Sequence, residues 1–353
     1  MKATAMFEIT STRMNPLVDP QLHAWGWEIP VYLFFGGMIA GMMVLAGLAM
    51  LRLARGDDPE RFFSVQTPLL GFVLMNVGMG ALLLDLTHKL YVWAVYLTLQ
   101  PASPMSWGSW VLLVVYGVLM VSALVRIQDS WPWLARTFPV VVRLSDAITG
   151  SPAKLRALAY ANIALGIALG IYTGILLNTM VARPLWNSAV LGPLFLFSGL
   201  SAAAAMVHLA VRVLPGRPAP QGMIGGAFAA LWQPMGARPP APGTEQSLVR
   251  ADIGFLAIEL VLIALLVIGL STSSASHQEA LGLLFAPPYA LPFWGGIVLA
   301  GIVVPIALQV LELGHRIPHT VVPAILVLAG GFALRWVLVN AGQASHFVAA
   351  TGM

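Results

Sequence analysis

Cysteine is absent from the 353 residues. That excludes disulfides, thiolate catalysis and any cysteine-ligated iron–sulfur cluster within the chain. Charge is also scarce. Asp, Glu, Lys and Arg make up 9% of the sequence against 59% hydrophobic residues, where a soluble domain carries roughly 25% charged. So few charges cannot clothe a surface in water, and lipid must cover much of the chain. The net charge of +4 does not point to nucleic acid, because the 18 basic residues are scattered between apolar runs and follow membrane topology instead. The first 26 residues lack a short apolar core followed by a small-residue cleavage site, so the first span is expected to insert uncleaved.

What the sequence does contain is apolar runs of about 20 residues, each long enough to cross a hydrocarbon core. Eight are present, at roughly 27–53, 65–87, 107–127, 155–178, 187–211, 251–270, 290–313 and 319–340. The expected fold is an all-α integral membrane protein. The last two runs are joined tightly through Gly314, His315, Arg316 and Pro318.

Eight spans put both termini on one side. That side carries four basic residues: Lys2, Arg13, Lys89 and Arg183. The other carries thirteen: Arg52, Arg55, Arg61, Arg126, Arg136, Arg143, Lys154, Arg156, Arg212, Arg217, Arg238, Arg250 and Arg316. Basic loops stay in the cytoplasm, so both termini are expected outside, in the periplasm if the cell is Gram-negative. The long loop at 212–250, with seven prolines, is then cytoplasmic and reads as an irregular linker.

A weak internal repeat has an offset of four helices. VYLFFGGMIAGMM from Val31 corresponds to LFLFSGLSAAAAM from Leu194, and Pro104 with Trp107-Gly108 corresponds to Pro292 with Trp294-Gly295. An even offset gives a parallel repeat. The expected architecture is two side-by-side four-helix bundles, residues 1–182 and 183–353. Their Gly and Ala stripes suit close helix packing without any ligand.

Ionisable residues in lipid cost at least about 2.5–3.5 kcal/mol near the bilayer centre, which makes them functional suspects. They are Glu28, Asp85, His208, Glu259, Glu312 and Arg335, with His88 at a helix end. The topology places Glu28, Asp85, His88, Tyr172 and Thr173 toward the outer end. Arg335 falls about one and a half turns from that end, Glu259 near the middle, and His208 and Glu312 near the inner face. A carboxylate, an imidazole and the aromatics Trp25, Trp27, Tyr32 and Trp107 suit a quinone headgroup, which needs donors for its carbonyls, a slot for its ring and groups that exchange protons. The tryptophans equally suit an interfacial belt, His88 beside Lys89 equally suits lipid headgroups, and Arg335 and Glu259 equally suit structural ion pairs.

The strings WGWEIPVYLFFGGMIAG (25–41), LLLDLTHKLYVW (82–93), PASPMSWGSW (101–110), GIYTGILL (170–177), PLWNSAVLGPLFLFSGL (184–200) and GGFALRWVLVNAGQ (330–343) run through nearly the whole chain. In kind and order they resemble the NrfD/polysulfide-reductase membrane-subunit family. The resemblance implies a haem-free subunit without an iron–sulfur cluster of its own. It would exchange electrons between the membrane quinone pool (menaquinone or ubiquinone) and an iron–sulfur, ferredoxin-like subunit of a respiratory complex, usually one with a molybdopterin catalytic subunit. It further implies that the iron–sulfur subunit docks on the side where the quinone binds, here the outer face of a bacterial inner membrane. Carried over by position, Glu28 and Tyr32 fall on the span-one stretch that faces the quinone, and Asp85 on the acidic position of span two. The chain departs from polysulfide-reductase-type members in that span-one stretch, where they carry Asn and His.

These readings give a chemical expectation. Asp85 or Glu28 accepts a quinol proton, His88 or Tyr172 holds a carbonyl oxygen, and Tyr32, Trp107 and Trp25 line the ring. Asn76, Glu259, Asp252, His208, Glu312 and Arg335 are expected along a polar route from the cytoplasm that would make turnover electrogenic. No metal-ligand set stands out. A b-type cytochrome would need paired histidines at one depth; His88 and His208 cannot share a haem, while His208 with His315 or His319 stays open. A secondary transporter and a structural anchor without a quinone site stay open as well.

Overall fold

The computed structural model describes residues 25–57, 67–125, 127–130, 132–180, 182–213 and 242–346. The prolines of the long loop from Pro215 to Pro240 and the loop charges Lys2, Arg13, Arg61, Arg126, Arg217 and Arg238 lie outside the described residues. Among the described residues there is no strand, and eight helices are long and apolar enough to cross a membrane. They are Glu28–Leu53, Thr67–Asp85, Pro104–Leu124, Pro152–Asn178, Leu191–Arg212, Glu245–Ser271, Leu291–Leu313 and Val322–Ala344, spans one to eight below. Each coincides with one apolar run of the sequence. Span six departs most from its expected start: its helix already runs from Pro242, so Glu245 and Arg250 are helical rather than part of a linker.

The helices form because a hydrocarbon solvent leaves backbone N–H and C=O groups no partner but one another. Pro104, Pro152 and Pro323 open spans three, four and eight from the first turn, where a missing N–H costs nothing. Residues Leu291–Val303 of span seven wind as a π-helix before Val304–Leu313 continues in α form. Shorter helices lie between spans, notably Val92–Leu97, Pro139–Thr149 and Ala275–Leu283.

Span one has no polar side chain between Tyr32 and Arg52 and is the most buried span, as expected of a helix that is apolar all round. It packs against spans two, four, five and eight. Span five packs against six, eight, one and four. Adding four to each helix number therefore maps the pairs one–two, one–four, two–three and three–four onto pairs that also touch. On this pattern of neighbours we propose the parallel repeat, with its halves at 1–182 and 183–353.

The two central helices cross backbone to backbone. A Cβ built on Gly199 would overlap the carbonyl of Gly37, and one on Gly41 would meet the Gly199 carbonyl and the Ala203 methyl. Small residues of this kind let apolar helices approach closely enough for dispersion to hold them in lipid. The ends of spans one and eight are tied as well: the Trp25 N–H donates to Gln343 Oε1 at 2.6 Å, and Gln343 Nε2 donates back to the Trp25 carbonyl at 3.1 Å. Both described termini thus share one end of the bundle, called here the termini-bearing end.

Gly199→Val is expected to force spans one and five apart and lower stability by about 1–3 kcal/mol, the usual cost of overpacking. A thermal-melt midpoint of the detergent-solubilised protein equal to that of the unaltered chain would contradict the crossing.

Candidate functional site

At the termini-bearing end, spans one to four and the connection between spans two and three enclose a pocket of about 910 Å³, counting its open mouth. Its polar lining is Trp25, Tyr32, Asp85, Tyr96, Ser109 and Tyr172; the rest is apolar, with Ile29, Met79, Leu82, Leu112 and Leu176 among it. Leu83 and Met105, both exposed, lie at the rim.

The walls are set by local sequence. Tyr32 comes from the first turns of span one and is buried. Asp85 is the last residue of span two, where the apolar run gives way to Thr87, His88 and Lys89. The connection that follows is fastened to span three by the side chains of PMSWGSW. Gln100 N–H donates to Ser106 Oγ at 3.0 Å, and Ser106 Oγ donates to the Thr98 carbonyl at 3.2 Å. Trp107 Nε1 donates to the Pro101 carbonyl at 2.7 Å. These bonds hold the short helix Val92–Leu97 against the pocket, with Val92 and Tyr96 on its inner side and Trp93 and Leu97 exposed. Burial there pushes the Tyr96 phenol above its ordinary pKa, so it stays protonated. Gly108 completes the arrangement, because the Tyr172 ring occupies the space a Cβ would need. The Tyr172 hydroxyl donates to the Pro104 carbonyl at 2.9 Å.

The structure thus brings Trp25, Tyr32, Asp85 and Tyr172 into one pocket. Trp25 also stacks on Trp186, with ring centroids 5.5 Å apart. Glu28, His88 and Trp107 are not part of the lining. Glu28 folds back over Gly26 at the start of its own helix. His88 is exposed, its ring 6.4 Å from that of Tyr91. Trp107 is exposed and serves as a fastening. Sequence reasoning missed Tyr96. The signal was there: aromatic and aliphatic residues at i and i+4 in VWAVYL, next to a serine-rich turn that can bind backbone.

A second polar group fills the interior formed by spans five to eight. Arg335 is fully buried. Its guanidinium donates to Ser198 Oγ, to the Gly331 carbonyl at 3.0 Å and to the Phe195 carbonyl at 3.0 Å, and it lies 5.0 Å from the centroid of the Phe195 ring. Its Nε has no hydrogen-bond partner among the described residues. Ser198 also hydrogen-bonds the buried carboxyl of Glu259. Asp252 accepts from Ser201 Oγ at 2.6 Å and from Gln309 Nε2 at 2.6 Å. At the opposite end, Glu312 accepts from the Thr320 N–H at 2.9 Å and faces His319 Nδ1 at 3.4 Å. His208 Nδ1 stands 3.6 Å from Glu245, which also pairs with Arg212. A small cleft of about 280 Å³, counting its open mouth, is lined in part by His208, Asp252, Gln309 and Glu312. Gln309 Oε1 is buried without a hydrogen-bond partner among the described residues. Asn76 stands apart: it is exposed on span two, where its amide donates to the Phe72 carbonyl at 2.7 Å and its Oδ1 lies 3.5 Å from the Tyr116 hydroxyl.

Eight apolar spans around a pocket at one end and a buried charged group in the other half define a multi-pass helical membrane protein. The family described as "Polysulphide reductase, NrfD" matches residues 14–225 and 222–348, and the chain belongs to it. One chain of the polysulfide reductase of Wolinella succinogenes is 28% identical over 330 residues, covering 90% of this protein and 94% of that one. Protein NrfD of Escherichia coli is 26% identical over 324 residues, with 90% and 95% covered. A subunit of the selenate reductase of Mesobacillus selenatarsenatis is 27% identical over 352 residues, with 92% and 75% covered.

Removing one member of a buried charge group leaves the other without compensation, at a cost of about 3–5 kcal/mol. Arg335→Met is therefore expected to destabilise the solubilised protein strongly, and Arg335→Met with Glu259→Met to recover most of the loss. A double variant no more stable than the single one, in thermal melts, would show that Glu259 does not depend on Arg335.

Proposed function

We propose that this chain is the quinone-reactive, haem-free membrane subunit of a respiratory oxidoreductase, exchanging electrons between the quinone pool and an iron–sulfur subunit. The pocket at the termini-bearing end carries this reading. It is apolar enough for a lipid-soluble ring, it opens at a rim of exposed leucine and methionine, and it holds one carboxylate among phenols. Membership of the family and the likeness to subunits of polysulfide and selenate reductases support it. In this reading the complex has a catalytic subunit of the molybdopterin type, and the iron–sulfur subunit docks over the pocket. The excess of basic residues in the loops of the opposite end supports a docking face outside a bacterial inner membrane.

Oxidising a quinol releases two electrons and two protons. Asp85 is the carboxylate in the pocket and takes a proton from a quinol hydroxyl; the electrons pass to the docked iron–sulfur subunit, and the second proton leaves toward the nearby aqueous face. Tyr172 donates its own proton to Pro104, so toward the ring it acts as an acceptor, suited to a quinol hydroxyl rather than a quinone carbonyl. Quinone reduction runs the same steps backward.

The second polar group favours an additional role in proton translocation. His208, Glu312, Asp252, Glu259 and Arg335 form a succession from the opposite end into the interior, and Gln309 bridges part of it by its hydrogen bond to Asp252. Asn76 has no place in that succession.

Asp85→Asn is expected to abolish quinone-linked turnover while viologen-dye activity of the complex persists. Normal quinone turnover in that variant would remove the pocket from the reaction. For the translocation role, Glu259→Gln complexes in sealed vesicles should turn over quinol yet build a much smaller membrane potential. An undiminished potential would confine the group to structure.

A further inference from the structure

The pocket's hydroxyl and indole groups differ in what they can still donate. Tyr172 donates to Pro104, and Ser109 Oγ donates to the Ser106 carbonyl at 2.7 Å. Both protons are committed to backbone and neither is available to a substrate. Tyr32 and Tyr96 line the same pocket, and among the described residues neither hydroxyl has a hydrogen-bond partner. They come from different walls: Tyr32 from span one, Tyr96 from the short helix that PMSWGSW fastens down. A phenol without a partner in an apolar wall forgoes the net gain of a hydrogen bond. The fastening of that helix, by side chains of span three, holds Tyr96 in place at the pocket without giving it one.

We propose that Tyr96 is a substrate-binding residue whose hydroxyl donates a hydrogen bond to a carbonyl oxygen of the quinone ring, opposite the wall that carries Tyr32. The inference rests on the quinone reading above and extends it to a residue outside the spans. A phenol is a donor that stays neutral as the ring changes redox state. It can donate to the quinone carbonyl, and by turning its O–H it can accept from the quinol hydroxyl, so the contact survives both directions of turnover. The tail then leaves through the rim between Leu83 on span two and Met105 on span three. Ser106, Trp107 and Ser109 are positioning residues in this arrangement: they act on the substrate only through the placement of Tyr96.

The test uses the complex in native membranes, with Tyr96→Phe and Asp85→Asn compared in the same assays. Tyr96→Phe keeps the ring in the wall and removes only the donor. It is expected to raise KM for a short-chain quinol by about five- to tenfold, the factor for one hydrogen bond. It should weaken a hydroxyquinoline N-oxide inhibitor similarly, with kcat within about twofold and viologen-dye activity unchanged. An unchanged KM and unchanged inhibition in Tyr96→Phe, with turnover lost in Asp85→Asn, would overturn the inference and keep the quinone site. A fall of dye activity in Tyr96→Phe would also overturn it, because the hydroxyl would then be holding the assembly rather than the substrate. Quinol turnover intact in both variants would remove the site and this role together.

Discussion

A hydrocarbon interior offers no hydrogen bonds, and each polar group placed in it must find its partner inside the protein. That constraint accounts for the helices, for the close glycine crossings and for the shape of both polar sites. It acts most severely on Arg335. The guanidinium has donors pointing in fixed directions, and spans five and eight supply Phe195 and Gly331 carbonyls and the Ser198 hydroxyl to meet them. The Phe195 ring face then covers part of the charge. A helix bundle that accommodates such a group cannot repack freely, since any rotation of span five or eight would strand a charge. The fixed geometry of these two helices is transmitted to span one through the backbone contact of Gly37 with Gly199.

The same constraint explains what could be read from the sequence and what could not. Spans are long and lipid is unforgiving, so all eight were legible from apolar length alone. Glu259, Asp252, Glu312 and Arg335 were legible because their cost in lipid marks them whichever way they point. Helix ends were less legible. Glu28, Asp85, His88 and Trp107 all fall where water, headgroups and protein meet, and there a side chain can turn to any of the three at little cost in sequence signal. Asp85 turns into the pocket, Glu28 back over its own first turn, His88 and Trp107 outward. Direction around a helix depends on how its neighbours are packed, and no residue type encodes that. Tyr96 was hidden for a related reason. Its helix is only six residues long and is stable by virtue of the serine and tryptophan bonds that fasten it, so the one i, i+4 repeat it contains is too short a pattern to mark a helix by itself.

The string SPMSWGSW shows how a sequence signature can be structural in its parts and functional in its sum. Ser106 and Trp107 meet backbone groups of the connection, Gly108 yields its Cβ space to Tyr172, and Pro104 supplies the carbonyl that occupies the Tyr172 proton. None of these groups needs to touch a substrate. Together they decide which wall Tyr96 stands in and which hydroxyls are left with a proton to give. The indole of Trp107 is a clear instance, since its exposure suits an interfacial belt while its N–H is spent on the Pro101 carbonyl.

The two polar sites meet on span one. Tyr32 lines the pocket, and five residues along the same helix, about 8 Å by helix rise, Gly37 lies against the Arg335 guanidinium, close enough that a Cβ there would meet Nη2 at 2.9 Å. Between them span one presents Leu33, Phe34, Phe35 and Gly36, none of which can carry a proton. The glycine crossing with span five is likewise backbone against backbone. A direct proton relay from Glu259 to the pocket therefore has no side chains to use along this helix. Charge is different, because a field crosses a dry helix contact with little screening. Any coupling between events in the pocket and the Arg335–Glu259 group along this line has to act through electrostatics or through movement of the crossing itself, and the tight contact of Gly37 with Gly199 leaves little room for the second.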